Sequence, residues 1–118
     1  MDLKTIYFAG PLKNTNVFSN HSQITHIVGN ANYSLVYFTD GNKINISVNL
    51  KKIENSSFLP NFFQRVHKSY IVNPHFIKKI SEDGHRIYLK NGVVIPVKNY
   101  VFTALLANKN KVLHSIGI

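Results

Sequence analysis

From Lys43 to Val48 the chain alternates polar and apolar residues one for one. Lys43, Asn45 and Ser47 fall on one parity, and Ile44, Ile46 and Val48 on the other. Successive strand side chains point to opposite faces, so this period of two specifies a half-buried strand and excludes a helix. Upstream, Tyr33-Ser34-Leu35-Val36-Tyr37-Phe38 is rich in the aromatic and β-branched residues that suit a pleated surface. Asp40-Gly41-Asn42 between them predicts a tight hairpin. A second hairpin is predicted where residues 86–90 and 93–97 flank Asn91-Gly92, the pair favoured in type I′ turns. Pro96 has no N–H for a ladder, which places it on an edge or at a strand end. Further short strands are expected over 5–8, 24–28, 62–66 and 77–81. Helices are few. Asn49 can cap a turn or two running to Glu54, with Leu50 and Ile53 facing inward. Residues 100–107 place Val101, Leu105 and Leu106 on one helical face. Many short strands with turn signals between them predict an all-β fold, mainly antiparallel, a sandwich or barrel with helical trimmings.

The 118 residues fit one domain spanning 1–118, and 44% hydrophobic content can furnish a core. There is no internal repeat or linker. No apolar run approaches the roughly 18 residues of a membrane span, and Met1 to Gly10 lacks the apolar centre of a signal peptide. Cysteine is absent, which excludes disulfides and thiolate metal sites and suits a cytoplasmic location. Fourteen Lys and Arg against five acids give a net charge of +9, for which polyanions are the natural partner. The basic residues form no tail. Lys51, Lys52, Arg65, Lys68, Lys78, Lys79, Arg86, Lys90 and Lys98 are spread along the chain, so a folded face has to collect them.

Catalysis and metal chemistry find little support. The six histidines show no ligand spacing: His21 and His26 have no acidic partner beside them, and the others lie in separate segments. Ser69 near His67 has no third orienting group. The five acids, Asp2, Asp40, Glu54, Glu82 and Asp83, fall mostly at turns, and no Gly-rich phosphate loop occurs. We expect no catalytic residue, no cofactor, no metal and no small-molecule substrate.

The stretch Phe62-Phe63-Gln64-Arg65-Val66-His67-Lys68-Ser69-Tyr70-Ile71-Val72-Asn73 resembles the central signature of the LytTR DNA-binding domain, loosely F-x-R-x-H-R-S-Y-x-V-N. Three further landmarks agree in order and spacing. Residues 24–33, with Gly29, Asn30, Asn32 and Tyr33, resemble the family's early strand and loop. Leu50 and Ile53 resemble its L-x-x-L turn. Ile95-Pro96-Val97-Lys98-Asn99-Tyr100 is similar to its closing I-P-V-S-R-x-Y. The likeness spans about 24–106. It implies an elongated β-sandwich of about ten short strands with one or two short helices. It also implies a transcription regulator that reads the major groove of duplex DNA with loops and strand ends. Two copies are expected on direct repeats, dimerising on the DNA. With a strand or two before the signature, the chain looks like a stand-alone member, or a single domain cut from a longer protein, of a family whose members often act as response-regulator output domains. Three residues depart from the pattern: Val28 where Glu is frequent, Lys68 where Arg is more common, and Asn99 where Arg is frequent. The last two fall on expected DNA-reading positions and predict a different preferred sequence.

On this reading Lys68 and Ser69, following a strand that ends at His67, offer a cation and a hydroxyl to a base edge and a phosphate. His67 either touches DNA or orients the loop through a hydrogen bond, and the second is favoured. Asn32 can read adenine and Tyr33 can reach a phosphate or base, although a plain turn with a packed Tyr accounts for both equally well. Asn49 and Lys51 start a short helix, where amides and charge attract phosphate; simple capping by Asn49 is compatible. Arg86 and Lys90 share side-chain parity and form a phosphate track, against ordinary surface charge. Lys98, Asn99 and Tyr100 complete the DNA-binding set. Two alternatives stay open. One is a protein-interaction module using exposed Phe18, Phe62 or Tyr37, which the positive charge disfavours. The other is an RNA-binding protein, which needs exposed aromatics for stacking on unpaired bases.

Overall fold

Period-two patterning locates only some of the strands. The computed structural model describes residues 5–7 and 16–98. Its strands are β1 (Thr5–Tyr7), β2 (Ile24–Asn30), β3 (Tyr33–Phe38), β4 (Lys43–Ile46), β5 (Gln64–His67), β6 (Tyr70–Val72), β7 (Ile77–Ile80), β8 (Arg86–Leu89) and β9 (Val94–Pro96). Two short α-helices join them, α1 (Asn16–Ser19) and α2 (Leu50–Glu54). β1 to β6 build one sheet in the order β1-β4-β3-β2-β6-β5, and β7-β8-β9 build a second. Every pairing is antiparallel except β1 with β4. The described body measures 39 × 26 × 26 Å, so the fold is all-β, two-sheeted and elongated, as expected. Among the described residues no helix is long and apolar enough to cross a membrane. The helix expected over 100–107 lies outside the described residues.

Two hydrophobic cores result. The first packs Ile24 and Ile27 of β2, Val36, Ile46, Ile71 and Phe18 with Leu50 and Ile53 of α2. The second packs Val66, Val72, Ile77, Ile87, Leu89, Ile95 and Val97. β6 is the wall between them, because consecutive strand residues face opposite ways and send Ile71 into one core and Val72 into the other.

The turns differ from the type I′ geometry expected at Asn91-Gly92. That geometry needs two consecutive positive φ angles. Ala31 is the only described non-glycine residue with a positive φ, so Asn91 does not adopt one. Instead both hairpins have three-residue loops closed by glycine. The Gly92 N–H donates to Leu89 O at 3.0 Å with φ +90°, and the Gly41 N–H donates to Phe38 O at 3.1 Å with φ +87°. In each, the preceding Asx side chain is occupied locally: Asn91 Oδ1 accepts from the Val93 N–H at 3.1 Å, and Asp40 Oδ1 from the Asn42 N–H at 2.9 Å.

Candidate nucleic-acid interface

Strand register gathers three loops at one end of the larger sheet. Asn30 pairs with Tyr33, Ser34 with Ile46 and Val28 with Tyr70. The turn after β2, the segment after β4 and the turn between β5 and β6 therefore emerge side by side. Gly29, Ala31, Asn49, Leu50, Lys51, Arg65, Lys68 and Ser69 line one open cleft of about 270 Å³ there.

The β5–β6 turn is held from several directions. The Ser69 N–H donates to His67 Nδ1 at 3.1 Å, and the Gly29 N–H donates to Ser69 O at 2.8 Å. Arg65 reaches along the turn, its Nε donating to His67 O at 3.1 Å and its Nη2 to Lys68 O at 2.7 Å. Its Nη1 pairs with Glu54 Oε1 of α2 at 3.0 Å. His67 thus takes part in a hydrogen bond within the turn through its Nδ1. Desolvation first, then the charges of Lys98, Lys68 and Arg65, push its pKa down and favour the neutral ring that can accept at Nδ1. The Lys68 side chain is exposed. Lys98 joins this group because its N–H donates to Val66 O at 3.1 Å.

The helix start is built as its sequence dictates. Asn49 Oδ1 accepts from the Lys52 N–H at 2.8 Å, so Asn49 is the N-cap of α2. Lys51 points to solvent, while Leu50 seats α2 against β2 at Gly29. Across the cleft, Ala31 takes φ +54°, a conformation uncommon outside glycine, and thereby closes a two-residue turn. Asn32 is exposed and Tyr33 is 50% exposed.

The fold therefore brings together Asn32, Tyr33, Asn49, Lys51, His67, Lys68, Ser69 and Lys98. Arg86 belongs to the smaller sheet, paired with Pro96. It lies toward the Lys98 end, where the Val97 N–H donates to His85 O at 2.7 Å. Lys90 sits in the hairpin turn at the opposite end of β8, its N–H donating to Phe76 O at 2.8 Å. Shared parity thus does not make Arg86 and Lys90 neighbours. Asn99 and Tyr100 lie outside the described residues. The sequence reading passed over Arg65 as a site residue, although it stands inside the signature two residues before His67.

The aromatics invoked for a protein-docking face are engaged internally. Phe18 is buried and stacks on Phe58 with centroids 5.4 Å apart. Tyr37 stacks on the buried His26 at 4.4 Å, and Phe62 packs on Phe63 and His75.

A mainly antiparallel two-sheet fold thus presents a cationic loop cluster at one sheet end, a surface suited to a polyanion. The sequence matches the LytTr DNA-binding domain over residues 14–110, and the chain belongs to that family. The fold is similar to the LytTr DNA-binding domain of a Bacillus cereus protein described as a methyl-accepting/DNA response regulator. Identity is 27% and the TM-score 0.62, covering 72% of this chain and 82% of that one. No curated protein matches the chain. The chain is accordingly a DNA-binding domain.

Proposed function

We propose that this domain regulates transcription by reading duplex DNA sequence-specifically in the major groove. Lys68 addresses a base edge from the β5–β6 turn. Ser69, Lys51 and the amides around them hold phosphates, because backbone contacts position a protein while base contacts specify the sequence. Asn32 and Tyr33 enter beside them from the β2–β3 turn. Lys98, Asn99 and Tyr100 serve a second stretch of the site, with Arg86 on the flanking backbone. Two copies occupy direct repeats. The observation that carries this reading is the convergence of Lys51, Lys68 and Ser69 on one cleft. The test is selection of bound sequences from a random duplex library. Enrichment of one defined motif is expected, and recovery of an unenriched pool would overturn sequence-specific reading.

A further inference from the structure

Arg65 is a basic residue in the middle of a basic cleft, and a phosphate contact is the obvious role for it. Its hydrogen bonds argue otherwise. Each of its three guanidinium nitrogens already donates to a protein acceptor: His67 O at 3.1 Å, Lys68 O at 2.7 Å and Glu54 Oε1 at 3.0 Å. The side chain of Arg65 is 22% exposed and that of Glu54 is 45% exposed. Two of these acceptors are consecutive carbonyls of the turn that carries Lys68. The third sits on α2, the helix that begins with Asn49 and Lys51. One planar group therefore ties both walls of the cleft together. A lysine in its place could keep the charge but could not bridge three acceptors in a fixed fork.

We propose that Arg65 is a positioning residue, a strut that fixes the β5–β6 turn against α2, and that Glu54, an acid in this basic surface, holds it. This deepens the sequence-specific reading above and rests on it. The pre-organised turn presents the Lys68 ammonium at one place in the groove. Loosening it leaves the charge available to any duplex but removes the alignment that a chosen base pair requires. Specificity, rather than overall affinity, is what the strut supplies.

Glu54 makes the test decisive in sign. If it acts only through its charge, Glu54→Gln removes a negative group near the phosphates and tightens binding to every duplex. If it holds the strut, Glu54→Gln weakens binding to the selected site relative to random duplex. We expect Arg65→Lys to lower the selected-to-random affinity ratio by about tenfold, the loss typical of a charge-assisted hydrogen bond. A smaller loss in the same direction is expected for Glu54→Gln. Thermal melting of both variants establishes that they fold. Amide hydrogen exchange in the DNA-free protein provides an independent readout: the Ser69 N–H, bonded to His67 Nδ1, should exchange about tenfold faster in Arg65→Lys. Equal weakening on both duplexes by Arg65→Lys would make Arg65 a phosphate contact and overturn the strut. So would uniform tightening by Glu54→Gln, or an unchanged Ser69 exchange rate. A wild-type protein with no preferred duplex would instead remove the sequence-specific reading, and the exchange data alone would then decide whether Arg65 braces the turn.

Discussion

A methyl group placed on Gly29 would lie 2.7 Å from Leu50 Cγ and 2.8 Å from its Cδ1. No carbon pair tolerates that approach, and Leu50 is buried at 3% exposure, so it has little room to retreat. The missing side chain of Gly29 is what lets α2 lie directly on β2. Gly29→Ala should therefore cost about 1–3 kcal/mol of folding stability as an overpacking change. It should also displace Asn49 and Lys51 from the cleft. Urea denaturation checks the first effect and duplex binding the second. An alanine variant as stable as the wild type would show that α2 can shift freely.

Asn49 separates capping from DNA contact. Its Oδ1 already holds the Lys52 N–H. Asn49→Asp preserves a capping oxygen and adds a negative charge, so stability should stay within about 0.5 kcal/mol while affinity for all duplexes falls. Asn49→Ala should cost about 1 kcal/mol through loss of the cap. If Asn49→Asp binds DNA as well as the wild type, α2 does not face the phosphates.

His26 predicts an acid-sensitive fold. It is buried at 3% exposure, its Nδ1 lies 2.9 Å from Thr25 Oγ1 and its ring stacks on Tyr37. Burial lowers its pKa from 6.5 to about 4. Between these values the unfolded chain binds a proton that the folded one refuses. Stability from this residue is thus complete above pH 6.5 and declines as the pH falls toward 4, by about 3 kcal/mol in all. Denaturant midpoints measured from pH 7 to pH 4 should fall steeply in the wild type and less in His26→Phe. Parallel curves for the two proteins would assign the acid sensitivity to other groups.

What could be foreseen follows from the range of the forces involved. Tyr33–Phe38 coincides with β3, and the Asn49 cap is where its sequence places it, because alternation and capping are local. β6 was not foreseen. Its three apolar residues show no alternation because both of its faces are buried, one in each core. The gathering of Lys51, Lys68 and Ser69 depends on register between distant strands. The Arg65–Glu54 pair joins residues eleven apart across a turn and a helix. Such long-range partners leave no periodic trace. The Arg86–Lys90 track shows the converse: parity gives a shared face, but not proximity.

Salt should reveal how much of the binding is electrostatic. With about 5–8 phosphates neutralised by each domain, log affinity should fall against log salt with a slope of about −4 to −7. The measurement is a titration of a selected duplex from low to high ionic strength. A slope near zero would be incompatible with phosphate contacts by Lys51, Ser69, Arg86 and Lys98.

Lys68 and Lys90 distinguish reading from positioning, because the fold puts them in different places. Lys68 stands on the turn that Arg65 and Gly29 brace, whereas Lys90 sits at the far hairpin of the smaller sheet. A lysine on a guanine edge contributes to one sequence and little to others. A lysine near phosphates contributes to all sequences alike, and only in proportion to its proximity. Lys68→Ala should weaken the selected site by about 1–3 kcal/mol more than random duplex. Lys90→Ala should weaken both by similar, smaller factors, or neither if DNA does not extend that far along β8. Competition binding with the two duplexes and the two variants measures the difference directly. Equal losses for Lys68→Ala on both duplexes would make it a backbone contact. The reading role would then pass to Lys98, which is brought to the same group through Val66.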